Sequence, residues 1–133
     1  MSARAAVYNL VANDPELADL GVERVYAAHS ADTPPEELFV VIRWESSTSW
    51  LGATGVERVL FWAHDANQDF TRIDSVLRRI RDILSQATHV LGEDDWFLTQ
   101  ARWVGEGPDV WDFEQGLSIK FSEFETVSRY ARP

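Results

Sequence analysis

The chain has 133 residues, 45% of them hydrophobic with six Trp, seven Phe and three Tyr, and a net charge of −10. That apolar content excludes a disordered chain, and the length suits a single domain spanning 1–133 with a core of its own. Cysteine is absent, which excludes disulfides and Cys-ligated zinc and suits a reducing cytoplasm.

The charge is unevenly spread. From Glu93 to Glu125 there are nine acids against two bases, a net of −7, whereas Phe70 to Gln86 carries four Arg and two Asp. A protein that grips DNA needs clustered cations to displace phosphate counterions, and this balance is the opposite. A solvated acidic surface is the plain reading. The sharper one is a face that meets a basic partner or lines a passage through which DNA slides without sticking. The N-terminal stretch is too short and polar for a signal peptide. No run approaches the roughly 18 apolar residues of a membrane span, so the expectation is a soluble domain with no membrane partner.

Ser2 can cap a first helix reaching Ala12, with Ala6, Val7, Leu10 and Val11 apolar. Asp14 and Pro15 restart a short helical turn that Gly21 closes. Glu23 to Ala28 reads as a short strand, with Arg24 and Tyr26 facing opposite to Val25. Asp32-Thr33-Pro34-Pro35 is a stiff turn, because consecutive prolines permit neither helix nor ladder pairing. Leu38 to Glu45 is the most β-prone run and predicts a strand buried on both faces at its start. Glu45 to Gly55 reads as a hairpin loop with Trp50 and Leu51 exposed at its tip.

The next segment is the most regular. Val56 to Trp62 alternates, with Val59 and Phe61 on one face and Leu60 and Trp62 on the other. After a polar turn from His64 to Asp69 the apolar residues recur at Ile73, Val76, Leu77, Ile80, Ile83, Leu84 and Ala87, the spacing of one buried helical face. Asp69 is placed to cap this helix. Asp74, Arg78 and Asp82 are spaced for two salt pairs along its exposed stripe, each worth about 0.3–0.5 kcal/mol. Arg72 and Arg79 border the apolar stripe, either solvated or reaching a neighbouring surface.

His89 to Asp95 reads as loop, and Trp96 to Val104 as a strand with Phe97, Thr99, Ala101 and Trp103 on one face. Gly105 to Asp109 suits a hairpin turn. Leu117 to Thr126 is the last strand, with Leu117, Ile119 and Phe121 facing in and Ser118, Lys120 and Ser122 facing out. The expected architecture is α+β: an antiparallel or mixed sheet of about five strands, packed against one long helix and one or two short ones.

No catalytic centre emerges. His64-Asp65 has the wording of a phosphohydrolase metal pair, but His29 and His89 lie in unrelated loops and no ligand set at helical spacing accompanies it. Neither a Gly-rich phosphate loop nor a G-x-S-x-G elbow is present, and Asp94, Asp95 and Glu114 sit in no evident apolar pocket. The expectation is a protein without enzyme activity, cofactor or metal.

One family resemblance covers the chain in order from residue 3 to about 126. Its wording is Asp14-Pro15-Glu16-Leu17-Ala18-Asp19-Leu20 before Arg24-Val25-Tyr26, then Leu38-Phe39-Val40-Val41-Ile42-Arg43 after a Pro-bearing loop. Leu60-Phe61-Trp62-Ala63-His64-Asp65 and Asp69-Phe70-Thr71-Arg72-Ile73-Asp74 follow, with two late strands. The arrangement resembles the tail terminator proteins of long-tailed bacteriophages, in versions associated with phages of actinobacteria. The resemblance implies a structural role in the neck region of the virion. Copies, usually six, form a ring on the last ring of tail-tube subunits, stop polymerisation and present the head-joining surface to a head-closure or connector protein. DNA passes through the lumen without specific binding.

A ring needs two unlike surfaces. The candidates for contact residues are Trp50 and Leu51 at the loop tip, Arg72 and Arg79 on the helix edge, and Asp94, Asp95 and Glu114 in the acidic third. Three other readings fit the same residues: a head-closure or connector component of the neck, an acidic mimic of DNA, and a small α+β ligand-binding domain or enzyme with a pocket between helix and sheet.

Overall fold

The computed structural model describes residues 4–28, 34–45, 49–51, 54–92 and 94–130, with the backbone alone described at 49–51. The expected cap Ser2 and the Asp32-Thr33 half of the Pro-bearing turn lie outside these residues. In chain order the elements are α1 (Arg4–Ala12), α2 (Pro15–Asp19), β1 (Arg24–Tyr26), β2 (Leu38–Trp44), β3 (Ser49–Leu51) and β4 (Thr54–Asp65). They continue with α3 (Thr71–Ser85), β5 (Val90–Leu91), β6 (Trp96–Glu106), β7 (Val110–Asp112) and β8 (Leu117–Tyr130).

The α+β class and the mixed sheet are as expected, but the sheet is larger than five strands. Its order is β1-β2-β4-β8-β6-β5, with β3 added on β4 and β7 on β8. Among the described residues only β1 pairs in parallel, with β2. The three unforeseen strands, β3, β5 and β7, are each two or three residues long. Alternation with a period of two needs at least about four residues to be seen, so they left no signature.

Two of these short strands also move the turns. Beyond Glu45, β3 resumes the path of β2 along the same edge of β4, pairing Ser49 with Val56 and Leu51 with Thr54. Within the expected loop, Ser49–Leu51 is therefore the arm of a hairpin with the start of β4. In the same way β7 resumes the path of β6, and both run antiparallel to β8. The segment Gly105 to Asp109 is thus an interruption in one strand direction, and the hairpin turn lies at 113–116 instead. Gly107 is there for close approach: a Cβ on it would stand 2.1 Å from the Phe121 ring.

Helices α1 and α3 cover one face of the sheet. All seven expected apolar positions of α3 turn inward, five of them fully buried within the helix, and Phe61 meets Phe124 edge-on at 5.5 Å beneath it. Burying each such aliphatic side chain stabilises the fold by about 1.5–3 kcal/mol. Residues Val59 and Phe61 face this core and Trp62 the other side, as the alternation predicts. A bulge at Thr99 shifts β6, so that Leu98 rather than Phe97 and Thr99 enters the core with Ala101 and Trp103.

The faces of β8 are the reverse of the expectation. Ser118 and Ser122 lie buried under the helices, whereas Ile119 and Phe121 face away from them. Small polar residues fit here because each finds a partner: Ser118 Oγ donates to the Asn67 carbonyl at 2.8 Å, and Trp103 Nε1 donates to Ser122 Oγ at 3.0 Å. The apolar residues instead build a second, smaller cluster around Phe39, Val41 and Leu117 on the helix-free face.

Candidate docking surfaces

Strands β4 and β8 pair without interruption from Thr54–Arg129 to Asp65–Ser118, and this long ribbon gives the molecule two distinct ends. Fourteen residues of β8 extend over roughly 45 Å. Six of the seven expected contact residues divide between these ends, and Arg79 lies midway along α3. At the Tyr130 end lie the β3 hairpin with Trp50 and Leu51, whose side chains are outside the described residues, and the β5–β6 turn with Asp94 and Asp95. At the Leu117 end lie Glu114 and the start of α3 with Arg72. The three acids Asp94, Asp95 and Glu114 therefore do not share one surface.

The Asp94-Asp95 pair has a local conformational role. Both adopt positive φ, 53° and 65°, in the connection between β5 and β6. Asp tolerates this left-handed region better than most residues, so the two acids suit the tight turn.

Neither Arg72 nor Arg79 is free in solvent. Arg72 donates Nε to Asp65 Oδ2 at 2.9 Å and its terminal amino group to Asp65 Oδ1. Arg79 forks onto both oxygens of Asp14, at 2.9 and 2.7 Å, and reaches Glu16 at 3.3 Å. Sequence spacing along α3 gave no sign of either partner, because both come from other elements. Asp14 also accepts from Leu17 N at 3.0 Å, the expected cap of α2. The guanidinium of Arg79 beside it holds its carboxyl below the ordinary value, against the opposing effect of burial.

The start of α3 departs from expectation by one position. Phe70 occupies the cap position, and Asp69 accepts from Thr71 N and Oγ1 at 2.9 and 2.6 Å. Along the exposed stripe, Asp74 pairs with Lys120 of β8 at 2.9 Å rather than with Arg78. Lys120 also meets Asp109 at 3.1 Å and Glu106 at 3.7 Å, and its hydrogen bonds to Asp74 and then Asp109 raise its pKa against the opposing effect of burial. Further along, Glu123 and Glu125 are paired with Arg58 and Arg102. The acidic third is thus partly neutralised in its middle.

The Leu117 end carries a feature that the sequence reading missed. Asp112 Oδ1 accepts from Glu114 N and Gln115 N, and Gly116, at φ +68°, donates to the Asp112 carbonyl at 2.8 Å. This tight turn holds Phe113 outward, 88% exposed. The available signal was an aromatic residue flanked by acids just ahead of a Gly, in Asp112-Phe113-Glu114-Gln115-Gly116.

Beside the turn, on the helix-free face, is a groove of about 520 Å³ lined by Val41, Arg43, Trp62, His64, Ile119 and the turn's own Asp112 and Gln115. His64 stacks on Phe39 at 4.6 Å, and its Nδ1 lies 3.2 Å from the Trp62 carbonyl. With Asp65 bound to Arg72, the His64-Asp65 wording is strand-end packing. Trp62 packs against Phe121 at 4.8 Å, and its Nε1 is buried without an acceptor among the described residues. Among the described residues no group of three His, Asp or Glu side chains could hold a metal ion, and no helix is long and apolar enough to cross a membrane.

No family model and no curated protein matches the chain. Among solved structures, it is similar to a chain of the structure described as "Virion of native gene transfer agent (GTA) particle". The TM-score is 0.77 at 16% identity, over 96% of this chain and 95% of that one. The likeness establishes a shared fold from end to end.

Proposed function

We propose that this chain is a structural virion protein, and within the virion a tail terminator. Copies assemble into a ring, six in number, at the head-proximal end of the tail tube, end its polymerisation and offer the surface that a head-closure or connector protein joins. The observation that carries this reading is the fold shared over nearly the whole length of both chains with a virion component. The ordered resemblance from residue 3 to about 126 supports the finer assignment to the tail end.

The two unlike ends of the β4–β8 ribbon suit this role. One carries Asp94, Asp95 and the Trp50-Leu51 hairpin, and the other carries Glu114 and Phe113. A closed ring uses heterologous contacts, and a tube-to-head junction needs two different faces. On this reading DNA passes through the lumen and meets a net negative chain that does not bind it. The protein acts in the neck of the virion and performs no chemistry.

Negative-stain microscopy of the concentrated protein tests the ring. Closed rings with a central hole are expected, and a chain that never forms rings, alone or on a tube, counts against the assignment. Binding to a portal assembly instead of a tail tube would favour a head-closure component of the same neck.

A further inference from the structure

The hairpin tip and the neighbouring groove have complementary chemistry. Phe113 is the most exposed of the large apolar side chains described, at 88%, and Glu114 follows it on the same turn. The groove is walled by Val41, Trp62 and Ile119, and its volume of about 520 Å³ admits a phenyl ring with room for the flanking backbone. On its rim Arg43 is exposed and has no ion pair among the described residues. An aromatic anchor flanked by acids thus matches an apolar slot edged by a cation, the pattern of a buried hot spot with a charged rim.

We propose that the 113–116 tip of one copy seats in the groove of a second copy, with Phe113 against Val41, Trp62 and Ile119 and Glu114 against Arg43. Its own groove is not available to Phe113, because the Asp112 hydrogen bonds hold the turn in a conformation that directs the ring outward. Asp112 and Gln115 form one wall of the groove, so tip and slot adjoin on each molecule. Two copies facing each other about a two-fold axis then exchange tips reciprocally, and the contact is made twice. This pairing is distinct from a head-to-tail ring contact and does not require a tail tube.

Sedimentation velocity of the full chain over a micromolar concentration series tests it. The wild type is expected to pair, and Phe113→Ala and Arg43→Glu are each expected to weaken pairing by about 10- to 100-fold. Both side chains are exposed, so circular dichroism and the melting curve should remain those of the wild type. Mixing the two variants should recover part of the association, because an intact Phe113 tip meets an intact groove at one of the two contacts of a mixed pair. Arg43→Glu combined with Glu114→Arg should recover pairing within one chain.

A wild type that stays monomeric at every concentration overturns the contact. So does pairing that neither variant changes, or a loss with Phe113→Ala that Arg43→Glu does not share, which would assign the tip to another partner. Rings or tube caps formed normally by Phe113→Ala would leave the tail-end reading standing while the dimer is judged by sedimentation alone.

Discussion

Arg72 reaches back from the first turn of α3 to the fully buried carboxylate of Asp65, the last residue of β4, and binds both of its oxygens. This fork closes the turn between the longest helix and the strand beneath it. Removing one member of a fully enclosed pair costs about 3–5 kcal/mol, because the other charge is left buried. Arg72 is 41% exposed and water screens part of the charge, so Arg72→Met is expected to cost about 2 kcal/mol in urea unfolding. Adding Asp65→Asn should recover part of the loss. An unchanged unfolding midpoint would show that water replaces the guanidinium without penalty.

Asp14 links α2 to α3 through Arg79. Its folded pKa lies below the ordinary 3.8, so it binds a proton less readily folded than unfolded. The resulting stability is present above pH 3.8 and is lost as pH falls through the lower folded value. Asp14→Asn keeps a side-chain acceptor for the α2 cap but removes the ion pair. It should lower the melting temperature at neutral pH and flatten the decline below pH 4. An acid limb identical to that of the wild type would contradict the pairing.

Gly107 lies against the ring of Phe121, which in turn packs on Trp62. A methyl group at this position forces the ring from its contact, and strain of this kind costs about 1–3 kcal/mol. Gly107→Ala should therefore destabilise the chain, while Gly105→Ala, with open space around its would-be Cβ, should change stability by less than about 0.5 kcal/mol. Equal effects at the two positions would refute the close approach.

Separation of the acidic turns predicts separable assembly defects. Asp94→Lys with Asp95→Lys alters the Tyr130 end, and Glu114→Lys alters the Leu117 end. On the terminator reading one end serves the tube and the other serves the head, so the two variants should fail at different steps. Pull-downs against tail tube and against a connector would read this directly. Loss of the same partner in both variants would contradict it. Trp50→Ala belongs with the first pair, and a variant that assembles and joins normally would remove the hairpin from the interface.

Long periodic segments were legible in the sequence because each buries one face. Helix α3 and the opposed faces of Phe61 and Trp62 follow from spacing, and strand β2 from its β-prone composition. The reversed faces of β8 were not legible, since Ser118 and Ser122 are buried by hydrogen bonds to residues distant in sequence. The ion pairs of Arg72 and Arg79 were hidden because their partners, Asp65 and Asp14, lie outside α3. The turn at 113–116 was missed because the Gly and Pro of 105–109 gave the stronger local signal, while Gly107 answers to the Phe121 ring. Phe113 became notable only once the turn that exposes it was known.

The most direct test of the tail-end role is electron microscopy of tail-tube subunits polymerising with and without this protein. The terminator reading predicts shorter tubes, each carrying a ring-shaped cap at one end only. Tubes of unchanged length with bare ends would contradict it.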